Sequence, residues 1–348
     1  MQQRLPKYRR TDDSLAALSH RQITDRSLEI ISFLSFYHIL PTSLLVKLVE
    51  GNEDITCRHL QTLYHRRLIN RFSFPSVINP GEFHYYIDHP AALELLTDAG
   101  WAEPHDLNFD RVRYDRDKKY DQIHFDGERQ GSLLYLKHEA MISRFHTLLE
   151  LACRTTKGKV ELIDWRQGPE LWHSVIVPKV AFDNQRDLWG EQKETERLPH
   201  RPDAFFTLRF TDRPEGDQDS HFFYEADRKT TTDRKRIIKK LRAHFHYIVK
   251  QKRHETDYQI NRIRAVLVET IDDHWAMRLR EVGSHPIVSG PKPSPLFWFT
   301  TSRLFEHGPE QEQIDTQSKG TYFLKQPEII FHGVWATPAG ETLHSLLD

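Results

Sequence analysis

The sequence predicts an α+β protein built from two domains. Three observations support this class. Residues 24–67 contain three segments in which apolar residues recur with helical spacing, two extended runs follow at 68–74 and 83–88, and helix-like and strand-like segments alternate over 133–282. A chain of 348 residues is long enough for two such domains.

Composition and charge narrow the class of protein further. The formal net charge is −1, so any affinity for DNA must come from local basic patches. Cys57 and Cys153 have no metal-binding spacing, which indicates reduced thiols of a cytosolic protein. No stretch has the apolar length of a membrane span, and no signal peptide pattern follows the basic start. We therefore expect a cytoplasmic protein with no membrane contact.

The first predicted domain, residues 20–101, begins with three helices. Thr24 or Asp25 is suited to the N-cap of the first helix, and Pro41 separates this helix from a short second one. The third helix is predicted to begin at Asp54 or Thr56. A fourth, short helix closes the domain after the two extended runs.

Turn-forming residues between the two extended runs predict a hairpin. They are Pro75-Ser76 and Asn79-Pro80-Gly81. Three helices followed by a hairpin is the order of a winged helix-turn-helix domain, whose third helix enters the major groove of DNA. Six residues of the third helix and the hairpin can donate to phosphates or base edges: Arg58, His59, Thr62, His65, Arg66 and Arg71. The alternative is a winged helix that contacts only protein.

Residues 102–131 are rich in charge and tyrosine and poor in aliphatic residues, which predicts a linker. The second domain is predicted over 132–282, with 283–348 as its C-terminal extension. In the extension we expect a buried strand at 295–300, a strand at 333–336 and a short helix within 337–347. The second domain contains helices and strands in an order that predicts an α/β core with a mixed sheet: Leu133–Cys153 (helix), Val160–Trp165, Ala204–Phe210, His221–Ala226 (strands), Thr232 to about Lys252 (helix), Ile263–Glu269 (strand) and Asp272–Val282 (helix).

Two acidic residues stand at strand ends that a hairpin would bring together. Asp203 begins one predicted strand and Glu225 ends the next. Paired carboxylates supply the hard oxygen ligands that Mg²⁺ prefers in phosphate chemistry. The alternative is that both acids bind neighbouring cations or backbone donors.

The long helix after Thr232 carries far more cations than acids. Lys235, Lys239 and Arg242 line one of its faces, and we expect them to contact DNA phosphates. The alternative is a solvated charged face without a partner.

Short motifs in this order resemble the replication-relaxation family of bacterial plasmids and integrative elements. The motifs are the predicted winged helix, His138 at a helix start, Pro202-Asp203, and Glu225-Ala226-Asp227-Arg228 followed by Thr230. The resemblance covers roughly residues 22–270. It implies a DNA-handling role in replication, transfer or its regulation.

The second domain also resembles the core of the PD-(D/E)xK nuclease superfamily. The resemblance implies that Asp203 and Glu225 are metal-binding acids, with Mg²⁺ or Mn²⁺ as cofactor if the protein is catalytic. Glu139 is the counterpart of a helix acid in some members. Asp227 stands where the superfamily has its lysine, and an acid cannot stabilise a negative transition state as that lysine does. Lys229 lies two residues further on and points to the same side of an extended strand.

The sequence thus leaves three functions open. The first is a DNA-binding protein of a mobile genetic element, with a nuclease-like domain that lacks the standard lysine. The second is a metal-dependent DNA endonuclease that uses Asp203, Glu225, Asp227 and Lys229. The third is a winged helix transcription regulator with a dimerisation or sensor domain. DNA is the expected partner in each case, and a second copy of the chain is a further candidate partner.

Overall fold

The computed structural model divides the chain into two units, residues 1–147 and residues 148–348. The structure describes residues 23–74, 82–108, 133–183, 188–308, 322–340 and 342–348.

The first unit combines short helices with a small antiparallel sheet of order β1-β3-β2. Its core is formed by fully buried leucine and isoleucine side chains of the first three helices, such as Ile31, Leu45 and Leu60. The elements are α1 (Asp25–Tyr37), β1 (Leu40–Pro41), α2 (Thr42–Leu48), α3 (Glu53–His65), β2 (Ile69–Ser73), β3 (Phe83–Ile87), α4 (Ala91–Asp98) and the first part of α5 (Leu133–Thr155).

Two local details of this unit differ from the sequence prediction. Helix α3 begins at Glu53 and not at Asp54 or Thr56, because the Asn52 side chain accepts a hydrogen bond from the Ile55 amide (3.2 Å) and caps the helix. Strand β1 was not predicted, since two residues carry no periodic signal. The predicted turn at 75–81 and most of the predicted linker, residues 109–131, lie outside the described residues.

The second unit is organised around a seven-stranded sheet of order β12-β11-β10-β9-β8-β7-β4. Strands β8, β9 and β10 are parallel, and the remaining pairs are antiparallel. This confirms the predicted α+β class with a large mixed sheet. After the last part of α5, the elements are β4 (Val160–Arg166), β5 (His173–Asp183), β6 (Leu188–His200), β7 (Ala204–Phe210), β8 (Asp219–Asp227), α6 (Arg234–Phe245), α7 (Arg253–Asp257), β9 (Ile263–Thr270), α8 (Asp273–Gly283), α9 (Pro286–Ser289), β10 (Phe297–Thr301), α10 (Ser302–His307), α11 (Tyr322–Lys325), β11 (Trp335–Ala336) and β12 (Leu343–His344), with short 3₁₀ helices at Pro169–Leu171 and Pro327–Phe331. A further 3₁₀ helix, Pro104–Asp106, belongs to the first unit.

Three segments of this unit depart from the prediction. Strands β5 and β6 pair with each other to form a long two-stranded ribbon over residues 173–183 and 188–200, which the sequence leaves largely unassigned. The helix predicted from Thr232 to about Lys252 is regular only over Arg234–Phe245 (α6). The next five residues, His246–Lys250, form a π-helical turn. The prediction of a short helix within 337–347 is wrong, because Leu343–His344 forms a strand that pairs with β11. The His344 ring stacks on the Trp298 ring, with 4.8 Å between the ring centroids.

The core of the sheet explains where the acidic residues lie. Phe223 on β8 packs in one hydrophobic cluster with Ile237 and Leu241 of α6 and with Trp275 of α8. Side chains two residues apart on a strand share a face. The residues that continue this face beyond Phe223 are therefore directed towards α6 and α8. In the part of the chain that the structure describes, no helix combines the length and apolar character needed to cross a membrane.

Candidate functional site

Asp203 fastens the start of β7 to the end of β8. Its backbone amide donates to the Tyr224 carbonyl (3.1 Å), and its Oδ2 accepts from the Ala226 amide (2.8 Å). These two bonds place Asp203 beside the last residues of β8. The hairpin thus brings together the strand ends that the sequence predicted to be neighbours.

Glu225 is almost fully buried, with 2% of its side chain exposed, and both its oxygens contact side chains of α6. Oε1 lies 2.6 Å from His244 Nε2, and Oε2 contacts the ammonium group of Lys240. Lys240 and His244 are four residues apart, so both project from the same face of the helix. Helix α6 therefore supplies two nitrogen partners to a single buried carboxylate.

Asp227 is held by the backbone just after β8 and by a side chain of α8. Its Oδ1 accepts from the Lys229 amide (2.7 Å) and from the indole Nε1 of Trp275 (3.1 Å). The Lys229 side chain does not join Glu225. Its ammonium lies 3.8 Å from Asp272 and 5.4 Å from the centre of the Trp275 ring. At Glu225 the contacting cation is thus Lys240, whereas the sequence pointed to Lys229.

The three acids act together on Lys240. Desolvation of the ammonium would lower the pKa of Lys240, but the charges of Glu225, Asp203 and Asp227 outweigh it and raise this pKa above its ordinary value. The Lys240 side chain is 46% exposed, so its stem reaches the surface while its head contacts a buried acid. Lys240 therefore remains charged, and it is the accessible partner of the buried Glu225 carboxylate.

These residues do not fit a divalent metal ion in the observed arrangement. Both oxygens of Glu225 face nitrogen groups, and Asp203 accepts from a backbone amide. Among the described residues, no group of three or more His, Cys, Asp or Glu side chains is arranged to hold a metal ion. The predicted Mg²⁺ or Mn²⁺ ligands Asp203 and Glu225 are thus adjacent but already engaged.

Sequence reasoning missed Lys240 and His244 as members of this site. A lysine and a histidine four residues apart share one face of a helix. Their presence on the helix that follows Glu225-x-Asp227 is the sequence signal that indicates them. The excess of cations on this helix favours an assignment to DNA phosphates and hides this spacing.

Aromatic packing holds the His244 ring in place. The His200 ring lies edge-on to His244 at 4.6 Å and stacks on Tyr247 at 3.8 Å, and the Tyr247 hydroxyl donates to Asp257 (2.8 Å). Burial, with smaller effects from His244, His173 and Arg253, holds the pKa of His200 well below its ordinary value. A neutral His200 is compatible with this packed aromatic cluster. Tyr247 belongs to the π-helical turn, a feature often found at functional sites.

The predicted DNA-binding residues of the first unit differ in accessibility. Arg58 is exposed on α3. The Thr62 hydroxyl donates to the Arg58 carbonyl (2.9 Å), and His59 Nδ1 lies 2.9 Å from the Ser27 hydroxyl. Desolvation and the neighbouring Arg26 lower the pKa of His59, which favours a neutral ring. Among the predicted DNA-binding residues of α3, Arg58 is thus the one whose side chain is exposed.

The remaining predicted residues of this unit are more enclosed. His65 is buried and its ring lies edge-on to Tyr64. The Arg71 guanidinium lies over the rings of Tyr64 (4.2 Å) and Phe83 (4.1 Å), and Arg66 is half-buried. These contacts give His65 and Arg71 a packing role in the unit.

The three predicted cations of α6 also separate into two groups. Lys235 is exposed, and Lys239 is exposed while forming an ion pair with Glu196 (2.7 Å). Arg242 is buried, and its Nη1 donates to the Pro178 carbonyl of β5 (2.6 Å). The structure thus places Arg242 inside the second unit and away from the surface that the sequence assigned to it.

One protein family has a sequence model that matches this chain. The family model for replication-relaxation matches residues 33–263, about two thirds of the chain. Comparisons with curated proteins and with solved structures gave no match. The match spans α3, the hairpin, the carboxylate cluster and α6. The chain belongs to the replication-relaxation family.

Proposed function

We propose that this chain is a DNA-binding protein of a mobile genetic element that acts in replication, transfer or its regulation. It binds DNA through a winged helix in the first unit, and its second unit is a nuclease-like fold of the PD-(D/E)xK type retained for binding. The observation that carries the proposal is the exposed Arg58 on α3, the helix directly before the β2–β3 hairpin.

The order of elements in the first unit supports the winged helix. Helices α1, α2 and α3 precede the antiparallel pair β2–β3, and β1 adds a third strand beside β3. In such domains the helix before the hairpin lies in the major groove. On α3, Ile55 and Arg58 are exposed, which gives an apolar contact and a cation to the groove.

The second unit adds a cationic helix surface. Lys235 and Arg236 are exposed in the first turn of α6, and Lys239 is exposed one turn later. The order of α5, β4, β7, β8, α6 and β9 and the acids at the ends of β7 and β8 support the nuclease-like assignment. Because exposed cations displace counterions from phosphates, this surface supports DNA affinity without base recognition.

Charge reversal at Arg58 tests the winged helix. Arg58→Glu is expected to weaken binding to duplex DNA by roughly 10-fold to 100-fold, because a cation–phosphate or cation–base contact becomes a repulsion. Fluorescence anisotropy of a labelled duplex gives the measurement. Lys157→Glu is the control, since Lys157 is exposed after α5 and is not assigned to DNA. Equal affinities of the two variants would contradict the assignment of α3.

Charge reversal on α6 tests the second surface. Lys235→Glu with Lys239→Glu is expected to weaken binding of all duplex sequences alike and to reduce the salt slope by about 1 for each lost phosphate contact. Titration of DNA binding against NaCl measures this slope. A slope equal to that of the wild-type protein would exclude α6 from the DNA-binding surface.

A further inference from the structure

The cluster of Asp203, Glu225 and Asp227 contains its own positive charge. The Lys240 ammonium contacts Glu225, and the charges of all three acids act on it. A divalent ion placed on the same carboxylates would be the usual way to neutralise such a group. We propose that Lys240 is the resident cation of this cluster and takes the position that a divalent metal ion would occupy, so that the wild-type site binds none.

The neighbours of the three acids are nitrogen donors. The Ala226 amide donates to Asp203, and the Lys229 amide and the Trp275 indole donate to Asp227. A metal ion needs free oxygen lone pairs, whereas these contacts occupy one oxygen of Asp203 and one oxygen of Asp227. The shell around the cluster is therefore built for carboxylates that accept N–H groups.

Glu225 is the most deeply buried of the three acids, with 2% of its side chain exposed. His244 holds one of its oxygens at 2.6 Å, and Lys240 holds the other. A divalent ion on Glu225 would either displace the ammonium or lie beside it, and two adjacent cations repel strongly in a buried site. Lys240 therefore excludes a metal ion both by contact and by charge.

The exposure of Lys240 makes this inference testable by gain of function. Its side chain is 46% exposed and Glu225 is 2% exposed, so Lys240 is the accessible partner of the pair. Replacement of Lys240 by a neutral side chain of similar length leaves three carboxylates with a deficit of positive charge and access from the surface. Such a variant is expected to acquire a divalent-ion site.

The experiment is a titration of the full chain with Mn²⁺ by calorimetry and with Tb³⁺ by luminescence. Trp275 serves as the optical donor for Tb³⁺, because its indole contacts Asp227. Lys240→Met is expected to bind one Mn²⁺ at least about tenfold more tightly than the wild-type protein. The combined change Lys240→Met with Glu225→Gln is expected to remove this site. Lys239→Met is the matched control, since the adjacent lysine pairs with Glu196 and its loss changes charge equally.

Two results would overturn the proposal. One is a wild-type protein that binds Mn²⁺ in a 1:1 ratio and loses this binding in Glu225→Gln. The other is Mn²⁺-dependent cleavage of supercoiled or single-stranded DNA by the wild-type protein that disappears in Asp203→Ala and Glu225→Ala. Both use the wild-type protein as reference, so they hold even if Lys240→Met folds poorly. The proposal does not rest on DNA binding, because loss of the Arg58 effect leaves the metal titrations unchanged.

Discussion

Glu225→Ala is expected to lower the free energy of unfolding by about 3 kcal/mol, the low end of the range for removal of one partner from a buried ion pair. The change leaves His244 without its acceptor in a site where its ring is buried. The cost is at the low end because Lys240 is half-exposed and its ammonium can turn into water. Urea denaturation followed by circular dichroism measures the change.

The control for this prediction is Glu194→Ala. Glu194 forms an ion pair with Lys179 (3.1 Å) but is 73% exposed, so its removal is expected to change stability by less than about 0.5 kcal/mol. If Glu225→Ala and Glu194→Ala destabilise the protein equally, Glu225 is not held as a buried partner of α6. A double-mutant cycle with Lys240→Met would then measure the coupling between the two residues directly.

Arg242→Ala is expected to cost about 2–3 kcal/mol of stability, comparable to loss of a buried polar group together with its packing. Arg242 is 1% exposed and is one of the largest fully buried side chains. Its hydrogen bond to the Pro178 carbonyl joins α6 to the β5–β6 ribbon. The measurement is again denaturant unfolding, with Lys239→Ala as the exposed control on the same helix.

The same variant distinguishes a structural role of Arg242 from a DNA-binding role. Arg242→Ala is expected to leave the DNA affinity of the folded protein unchanged, since its guanidinium lies away from the surface. If the Arg242→Ala variant is as stable as the wild-type protein but binds DNA more weakly, Arg242 contacts DNA and the buried role is contradicted. A charge reversal at Arg242 would place an unpaired acid in a buried site and is expected to destabilise the protein, so it should not be combined with changes at Lys235 and Lys239.

Strands with strong apolar patterns could be predicted closely from sequence. Ala204–Phe210 agrees at both ends because nearly every side chain of β7 is buried and the run is bounded by Pro202 and a polar loop. The β5–β6 ribbon is hard to recognise from sequence, since among the described residues its two strands pair with each other and with no third strand, and residues such as Ile176 and Lys179 are exposed. A strand that faces water on much of its surface has neither a continuous apolar run nor a clean alternation.

The candidate site shows a different limit of sequence reasoning. Asp203 and Glu225 were placed together correctly, because a hairpin joins them and its ends are neighbours. Lys240 and His244 could not be placed in the site from sequence, because only the packing of α6 on the sheet shows which of its cations faces inwards. The same packing buries Arg242 under β5. Local spacing predicts which residues share a helix face, but not which element covers that face.

The parallel pairing of β8 with β9 has a consequence for how the site assembles. Phe223 pairs with Val266, about forty residues later, whereas β7 and β8 are joined by a short loop. Local hairpins close faster than long crossovers, so we expect β7–β8 to form first and α6 to dock when β9 pairs. During synthesis the acids leave the ribosome before Lys240 does. Their carboxylates therefore remain hydrated until the helix arrives, and completion of the cluster marks a late step of folding.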